Sequence, residues 1–331
     1  EDFVKNGELN PAENIKIDFT DLLDTSKARN NINLDFSTNL FMLGFKTNHG
    51  SVTLFSNIKS STNWQYSKDF LQVAVSGVTS TDLTNDKLLS NLYHEMGIGM
   101  TRKFLDDKLA VGIRIKYLNG IIHYSTQKDA LFNLDIDEES AIWNLNSQNA
   151  TMHTSGFKLN DSEIPSIFTK NTGMGFDFGA TYMLNSKWEF EVSINDIGYI
   201  NWKENVKNYL IQDNTNKEYL GISLDEEIPQ DVGSEIETVL NEILGATENT
   251  NSFKNRLATN LYLSAKYKLS EKNIFSSIIY NNFVFNRVSP SLAIGYNRIL
   301  RNLNFGALLS TQDNSNKIRF GTNFAINFGK A

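Results

Sequence analysis

The sequence is poor in residues that build covalent or rigid frameworks, with no cysteine and only 4 prolines among 331 residues. Without cysteine, neither a disulfide framework nor a thiolate metal site can form. The composition also excludes a collagen-like or low-complexity polymer. No stretch approaches 18 consecutive apolar residues, and the mean hydropathy is −0.33. The sequence therefore predicts no transmembrane helix.

The charge balance is acidic, with a formal net charge of −7 and a pI near 5.3. Such a chain is not expected to bind nucleic acid by electrostatic attraction. Hydrophobic residues make up 40% and aromatic residues 11% of the chain, which excludes a disordered protein. The first residues, Glu1-Asp2-Phe3, carry no basic and apolar leader. We therefore expect a signal peptide to be absent or already removed.

Strict alternation of apolar and polar residues is the strongest pattern in the chain. In 188–195, Trp, Phe, Val and Ile alternate with Glu, Glu, Ser and Asn, and 318–328 shows the same period of two. A soluble sandwich also alternates, with its apolar face turned inward. A membrane barrel alternates too, although its hydropathy signal is weak.

Three features favour the membrane barrel over the soluble sandwich. The alternating segments often run for 10 to 15 residues, whereas soluble strands usually have about 5 or 6 and a tilted transmembrane strand needs about 9 to 11. Aromatic residues gather near the segment ends, as interfacial girdles require. Charged residues of both signs share the other face, and a dry core could not hold them all. The sequence thus predicts an all-β fold, a transmembrane antiparallel up-and-down β-barrel.

The alternating segments give a count of about 14 strands, within a range of 12 to 16. They lie at 14–20, 36–47, 51–64, 91–104, 108–127, 128–137, 140–150, 171–184, 187–202, 254–270, 273–285, 290–299, 303–311 and 317–329. If 128–137 and 140–150 instead form an outer hairpin, the barrel has 12 strands. Tight turns alternate with long connections at 21–35, 65–90, 151–170 and 203–253, the usual asymmetry of short periplasmic turns and long outer loops.

One domain accounts for residues 1–331, with 1–13 as an N-terminal periplasmic or plug segment and 203–253 as a long outer loop. Within that loop, Ser234-Glu235-Ile236-Glu237 forms a capping box that predicts an amphipathic helix over 234–246. Its helical apolar stripe gives the candidate partner-docking residues Ile236, Val239, Leu240, Ile243 and Leu244. Packing on the barrel rim is the alternative role. A weaker pattern predicts a second helix over 67–76.

Catalytic and metal-binding patterns are missing from the sequence. The four histidines, His49, His94, His123 and His153, have no partner at metal-ligand spacing. No G-x-S-x-G nucleophile elbow occurs. We expect a protein that is not an enzyme and that carries neither a cofactor nor a metal.

Charged residues on the predicted inner face are the candidate site. Seen along the alternating strands, the lumen-facing candidates are Arg114, Lys116, Glu189, Glu191, Lys266 and Arg319. They could form a charged pore lining that selects solutes. They could also form an ion-pair network that fills a closed barrel, and we favour this second interpretation because glycines are frequent on the same face.

Two stretches carry a family resemblance. The first begins Tyr93-His94-Glu95-Met96-Gly97 and ends Lys116-Tyr117-Leu118-Asn119-Gly120, and the second runs over 171–182 and continues into Asn195-Asp196-Ile197-Gly198-Tyr199-Ile200-Asn201-Trp202. They resemble a family of outer-membrane proteins of Bacteroidetes-type Gram-negative bacteria, known only as a domain of unknown function. That family is similar to 14-stranded long-chain fatty-acid-transporter barrels and to the shuttle-type barrel of the type IX secretion system.

The resemblance implies a location in the bacterial outer membrane and contacts with outer-membrane lipid. It implies a subunit or scaffold of a secretion or assembly complex, whose partners are other outer-membrane proteins. The alternative that it implies is a fatty-acid-transporter-like channel for a small amphipathic solute. It brings no catalytic residues.

Overall fold

The computed structural model describes residues 23–24, 26–76, 81–82, 86–126, 131–136, 143–148, 150–156, 166–211, 217–219, 246–285, 288, 290–311 and 318–326. Within these ranges the fold is nearly all β. The strands are β1 (Arg29–Thr47), β2 (Gly50–Ser67), β3 (Thr81–Asp82), β4 (Lys87–Phe104), β5 (Leu109–Thr126), β6 (Leu131–Ile136), β7 (Trp143–Gln148), β8 (Thr151–Ser155), β9 (Thr172–Met183), β10 (Trp188–Trp202), β11 (Val206–Leu210), β12 (Lys217–Tyr219), β13 (Thr247–Asn249), β14 (Phe253–Arg256), β15 (Thr259–Ser270), β16 (Asn273–Phe283), β17 (Ser291–Leu300), β18 (Leu303–Thr311) and β19 (Arg319–Ile326). Between β2 and β3 lies the helix α1 (Lys68–Ser76).

One 15-stranded antiparallel sheet contains most of the chain. Its continuous path is β1-β2-β4-β5-β9-β10-β15-β16-β17-β18-β19, and β8, β11, β13 and β14 pair beside that path. A separate four-stranded sheet has the order β12-β7-β6-β3. Each neighbour on the main path follows its predecessor along the chain, which is the up-and-down connectivity of a large β-barrel.

The sheet curls so that side chains of distant strands meet on its inner face. Lys59 on β2 lies 3.0 Å from Asp196 on β10, although β4, β5 and β9 stand between these two strands in the sheet. Within the described ranges the sheet is not closed, and β1 and β19 are its two edges. Because the main path has an odd number of antiparallel strands, eleven, the edge strands β1 and β19 run in the same direction. The strand predicted at 14–20 lies outside the described residues.

The outward face carries a band of exposed apolar side chains near the short turns. On β5, for example, Val111, Ile113 and Ile115 are each more than a third exposed. Comparable outward residues on other strands are Ile98, Met100, Phe178, Phe190, Val192, Leu263, Ile279, Ile294 and Phe305. A continuous apolar surface of this extent is rare on a protein that is surrounded by water.

Above this band the outer face is covered by the chain itself. Asn119 on β5 is buried and donates a hydrogen bond from Nδ2 to the carbonyl oxygen of Thr169, 3.1 Å away. The ring of Phe168 meets His94 at 5.5 Å between ring centroids. The band therefore ends on β5 near Tyr117, and the strand continues beyond it to Thr126.

The tight connection between β4 and β5 uses three residues in the left-handed region. Leu105, Asp106 and Asp107 have φ values of 56, 52 and 67°. Aspartate tolerates this region better than most residues because its short polar side chain forms local hydrogen bonds. This confirms the tight turn that the predicted strands 91–104 and 108–127 leave at 105–107.

Most of the predicted wall strands are confirmed, although β1 begins at Arg29 and not at 36, and the strand predicted at 254–270 is divided into β14 and β15. The prediction that 128–137 and 140–150 are wall strands is wrong, because β6 and β7 pair with each other in the separate four-stranded sheet. Alternation of apolar and polar residues indicates a strand with two different faces, but it does not indicate which sheet the strand joins. The alternative of an outer hairpin fits these two segments, and it lowers the predicted barrel count to 12.

The predicted long connections contain more structure than expected. The segments 151–170 and 203–253, predicted as loops, contribute β8, β11, β12 and β13. The weaker helix prediction at 67–76 is confirmed by α1. The helix predicted at 234–246 lies outside the described residues. Among the described residues no helix is both long enough and apolar enough to cross a membrane.

Candidate functional site: a charged and filled interior

A buried ionic cluster occupies the inner face at mid-height. The Nζ atom of Lys116 on β5 lies 2.6 Å from Oδ1 of Asp177 on β9 and 2.5 Å from Oδ1 of Asp196 on β10. Glu95 on β4 approaches the same Nζ at 3.5 Å, and Lys59 lies 3.4 Å from Glu95. We call Lys59, Glu95, Lys116, Asp177 and Asp196 the ionic cluster. The side chain of Lys116 is 0% exposed.

Asp196 enters the cluster because β10 is bulged at this point. The register between β10 and β9 shifts between Ile194 and Ile197, and Asp196 has a φ of 63°. A bulge inserts one extra residue and redirects its side chain. The backbone N–H of Asp196 donates to Oδ1 of Asp177 at 2.8 Å, which fixes the bulge against the neighbouring strand.

The ionic cluster contains one more carboxylate than lysine, since two lysines face three acids. Arg114 is the nearest further cation, with Nη1 4.0 Å from Oδ2 of Asp177 and its side chain 59% exposed. Its guanidinium carbon lies 5.5 Å from the centroid of the Phe55 ring, close enough for a cation–π contact. Asn57 donates from Nδ2 to Oε1 of Glu95 at 2.8 Å. The ionic cluster thus joins five consecutive strands of the sheet, from β2 to β10.

An apolar cluster lies farther from the short turns than the ionic cluster. It consists of the buried side chains of Tyr93, Leu118, Ile200, Trp202, Val206 and Leu257, with Phe253 packed against it. Trp202 fits only because Gly120 faces it: a Cβ atom on Gly120 would lie 2.5 Å from two ring carbons of Trp202. The sequence therefore provides a glycine at the point where the indole ring packs against β5.

His123 continues this packed region beyond the end of the exposed apolar band. Its Nδ1 lies 2.7 Å from Oδ1 of Asn91 and its Nε2 lies 2.9 Å from Oγ of Ser125. The ring contacts Trp202 at 4.8 Å and Phe253 at 5.0 Å between centroids. Burial, together with the nearby His153, lowers the pKa of His123 to about 3. The imidazole is therefore neutral, with the proton on Nδ1 donated to the amide oxygen.

The residues that sequence reasoning nominated fall into three places. Lys116 is the centre of the ionic cluster, and Arg114 lies at its edge. Lys266 on β15 bridges Glu189 at 3.0 Å and Glu191 at 2.9 Å, both on β10, and Ser264 donates to Glu191 at 2.8 Å. This second group is partly exposed. Arg319 lies exposed on the edge strand β19.

The nominated docking residues, from Ile236 to Leu244, lie outside the described residues. Sequence reasoning missed Lys59, Glu95, Asp177 and Asp196 as members of the site. The alternation in Gly175-Phe176-Asp177-Phe178 already puts Asp177 on the inner face, and Glu95 shares a face with Gly97. Asp196 carries no such signal, because its direction depends on the bulge.

Two cavities flank the ionic cluster on the inner face. The larger, about 430 Å³, lies toward the short turns and is lined by Arg114, Asp177 and Glu191 together with glycines and hydroxyl side chains. The smaller, about 210 Å³, lies between the β1–β2 hairpin and strands β15 and β16 and includes Lys59 and Asp196. Residues of the ionic cluster line both cavities: Asp177 the larger, and Lys59 and Asp196 the smaller.

The described residues form a large antiparallel barrel-type sheet with an apolar outer band and with buried ionic and apolar clusters on its inner face. The chain belongs to the family described as "Family of unknown function (DUF5723)", whose model matches residues 1–331. A comparison with the curated proteins finds no match.

Among solved structures, the chain is similar to the crystal structure of the ferric yersiniabactin uptake receptor FyuA from Yersinia pestis. The identity is 9% and the TM-score 0.22, and the match covers 80% of this chain and 37% of the receptor. A similarity of this degree carries no argument about function.

Proposed function

We propose that this chain is an integral β-barrel of a bacterial outer membrane, without catalytic activity, that acts as a subunit or scaffold of an outer-membrane secretion or assembly complex. The observation that carries the proposal is the packed interior. The Lys116 side chain is 0% exposed within the ionic cluster, and the apolar cluster lies beside it. A conducting pore needs a continuous water-filled path at every level of its lumen.

The membrane location is supported by the distribution of polarity across the sheet. Apolar side chains such as Ile113 and Val192 are exposed on the outer face, while Lys116 and Asp177 are buried on the inner face. A water-soluble protein has the opposite distribution, because exposed apolar surface and buried charge both cost free energy in water. In a bilayer the outer band faces lipid, and the backbone polar groups are paired within the sheet.

The height of the wall supports a role in contacts with other proteins. Strands β4 and β5 have 18 residues each, whereas a tilted strand crosses a bilayer with about 9 to 11. Beyond the apolar band the wall is extended by β8, β11, β13 and β14. A folded polar wall of this kind offers a rigid surface for partners on the side of the long connections.

Affinity purification with this chain as the bait tests the proposal most directly. Native membranes are extracted with a mild detergent, the tagged chain is purified, and the co-purifying material is identified by mass spectrometry. We expect other outer-membrane proteins in stoichiometric amounts. A variant with serine at Ile236, Leu240 and Leu244 is expected to lose them if the predicted helix docks them. A lone barrel without protein partners contradicts the subunit role.

Conductance in planar bilayers tests the packed interior separately. We expect the wild-type chain to remain at the bilayer background, and Arg114→Gln or Glu189→Gln to change nothing. Steady single-channel conductance that responds to either substitution contradicts a filled barrel.

The second candidate function is transport of a small amphipathic solute, as in fatty-acid-transporter-like channels. The specific observation in its favour is the cavity of about 430 Å³ on the inner face, a volume in the usual range for small-molecule sites. Organic extraction of the purified chain followed by lipid mass spectrometry tests it. A defined lipid or fatty acid at one molecule per chain supports transport.

A further inference from the structure

The smaller cavity is lined by residues from opposite sides of the curled sheet. Its volume is about 210 Å³, and its lining includes Asp35 of β1, Lys59 of β2, Asp196 of β10, Tyr262 of β15 and Tyr280 of β16. Because non-adjacent strands meet here, the cavity is a property of the curled sheet and not of a single hairpin.

The charges around this cavity do not balance. Lys59 lies 3.0 Å from Asp196 and 3.4 Å from Glu95, so its positive charge is shared by two carboxylates. Among the described residues Asp35 has no cationic partner. With Asp35 included, two lysines face four carboxylates in and around the ionic cluster. Arg114 lies in the lining of the other cavity, on the far side of the cluster.

Aromatic rings and neutral oxygen acceptors complete the lining. The rings of Tyr262 and Tyr280 lie 4.9 Å apart, and the hydroxyl of Tyr280 donates to Oδ1 of Asn260 at 2.8 Å. Tyr93 of β4 contributes a third ring to the lining. The face of an aromatic ring is electronegative and attracts a cation, an effect that grows when the cation is partly desolvated.

We propose that this cavity binds a small organic cation, a compound with one ammonium group on a short body. An unpaired carboxylate supplies the charge, and tyrosine rings supply surfaces that suit an alkylated ammonium. A divalent metal ion is a poorer match, since hard cations need several oxygen ligands in one shell and gain little from aromatic rings. The site does not depend on the proposed role in a complex, and its test needs only the purified chain.

Isothermal titration calorimetry of the purified full-length chain in detergent tests the proposal. The probes are choline, ethanolamine and 3,3-dimethyl-1-butanol, which has the shape of choline without its charge. We expect choline to bind and the neutral analogue to give no heat of binding. Binding of ethanolamine as well extends the class to primary ammonium groups, and its absence narrows the class to quaternary ones.

Two substitutions locate the bound cation. Asp35→Asn is expected to weaken choline binding about tenfold or more, because it removes a charge-assisted contact. Tyr262→Leu is expected to weaken it about 3- to 10-fold through the loss of the ring. The matched control is Asp106→Asn, which removes the same charge from the β4–β5 turn and should leave the affinity unchanged.

Three results overturn the proposal: no binding of either cation, equal binding of the neutral analogue, or equal weakening by Asp35→Asn and Asp106→Asn. Circular dichroism of each variant verifies the β content. Asp35 is exposed, so the Asp35→Asn chain is expected to fold. Whether partner proteins co-purify does not affect these outcomes. The proposed cation site and the proposed role in a complex are therefore tested independently.

Discussion

The Nζ atom of Lys116 on β5 lies 2.6 Å from Oδ1 of Asp177 on the neighbouring strand β9. The residue paired with Lys116 on β9 is Gly175. A Cβ atom on Gly175 would lie 3.2 Å from Cε of Lys116. The missing side chain therefore leaves the space through which the lysine chain passes into the ionic cluster.

Removal of the Lys116 charge is expected to destabilise the barrel strongly. In Lys116→Met, three carboxylates stay buried with Lys59 and, at the edge of the cluster, the largely exposed Arg114 as the remaining cations. Loss of one partner of a buried ion pair costs about 3 to 5 kcal/mol. The measurement is urea unfolding of the chain in lipid vesicles, followed by tryptophan fluorescence.

The matched control for Lys116→Met is Lys103→Met. Lys103 pairs with Asp107 at 3.1 Å, but both side chains are largely exposed, so this substitution should cost about 0 to 1 kcal/mol. The double variant Lys116→Met with Asp177→Asn should recover part of the lost stability, because one orphaned charge is removed. Equal stability of the two single variants argues against the cluster as an energetic unit.

The ionic cluster also shows which parts of the molecule the sequence can predict. Strand β10 was predicted at 187–202 and is observed at Trp188–Trp202, because alternation along one strand is a local property. The same pattern puts Lys116 on the inner face. It could not place Asp196, because a single register shift on β10 reverses the direction of the side chains that follow.

Pairing between distant segments was the other property that the sequence did not determine. Leu131–Ile136 alternates as the wall strands do, yet it pairs with Trp143–Gln148 in a separate sheet. The choice between wall and outer hairpin depends on which strands are free to pair. Strands β5 and β9 pair directly with each other, so no further strand can be inserted between them in the wall.

Gly120 is expected to be intolerant of any side chain. In Gly120→Val the new side chain meets the indole ring of Trp202 and the Cγ2 atom of Ile200, which a Cβ atom alone would approach at 3.0 Å. Overpacking of this kind costs about 1 to 3 kcal/mol. The measurement is thermal unfolding in detergent, together with the emission maximum of the tryptophans.

Gly44→Val provides the control for Gly120→Val, since nothing lies within 4 Å of a Cβ atom at Gly44. That variant should unfold at the wild-type temperature. Replacing the indole ring by a smaller side chain, in the double variant Gly120→Val with Trp202→Leu, should restore part of the stability. If the double variant is not rescued, the loss of stability comes from the backbone and not from the contact with Trp202.

The stability of the region around His123 is expected to depend on pH. Burial lowers the pKa of His123 to about 3 in the folded chain, whereas an unfolded histidine titrates near about 6.5. The unfolded chain thus binds more protons below pH 6.5. The stabilisation from the neutral ring is complete above that value and declines as the pH falls toward 3, by up to about tenfold in the folding constant per pH unit.

The groups that face His123 do not reverse this sign. Asn91 and Ser125 are neutral partners, Trp202 and Phe253 pack on the ring, and His153 acts against protonation. The measurement is unfolding between pH 7 and pH 4. His123→Gln should flatten the dependence, while His49→Gln in the exposed β1–β2 turn should preserve it. An unchanged slope in His123→Gln contradicts the assignment.

A charge on the outer apolar band is expected to block stable insertion into lipid. Ile113 lies at the middle of the exposed apolar stretch of β5 and is 38% exposed, and arginine at the bilayer midplane costs about 2 to 4 kcal/mol. Ile113→Arg should therefore fold less stably in vesicles and reach lower levels in the membrane. Ala110→Arg, which directs the same charge to the inner face beside the larger cavity, is the matched control and should insert nearly as well as wild type. If both variants insert equally, the outer band does not face lipid and the membrane location must be abandoned.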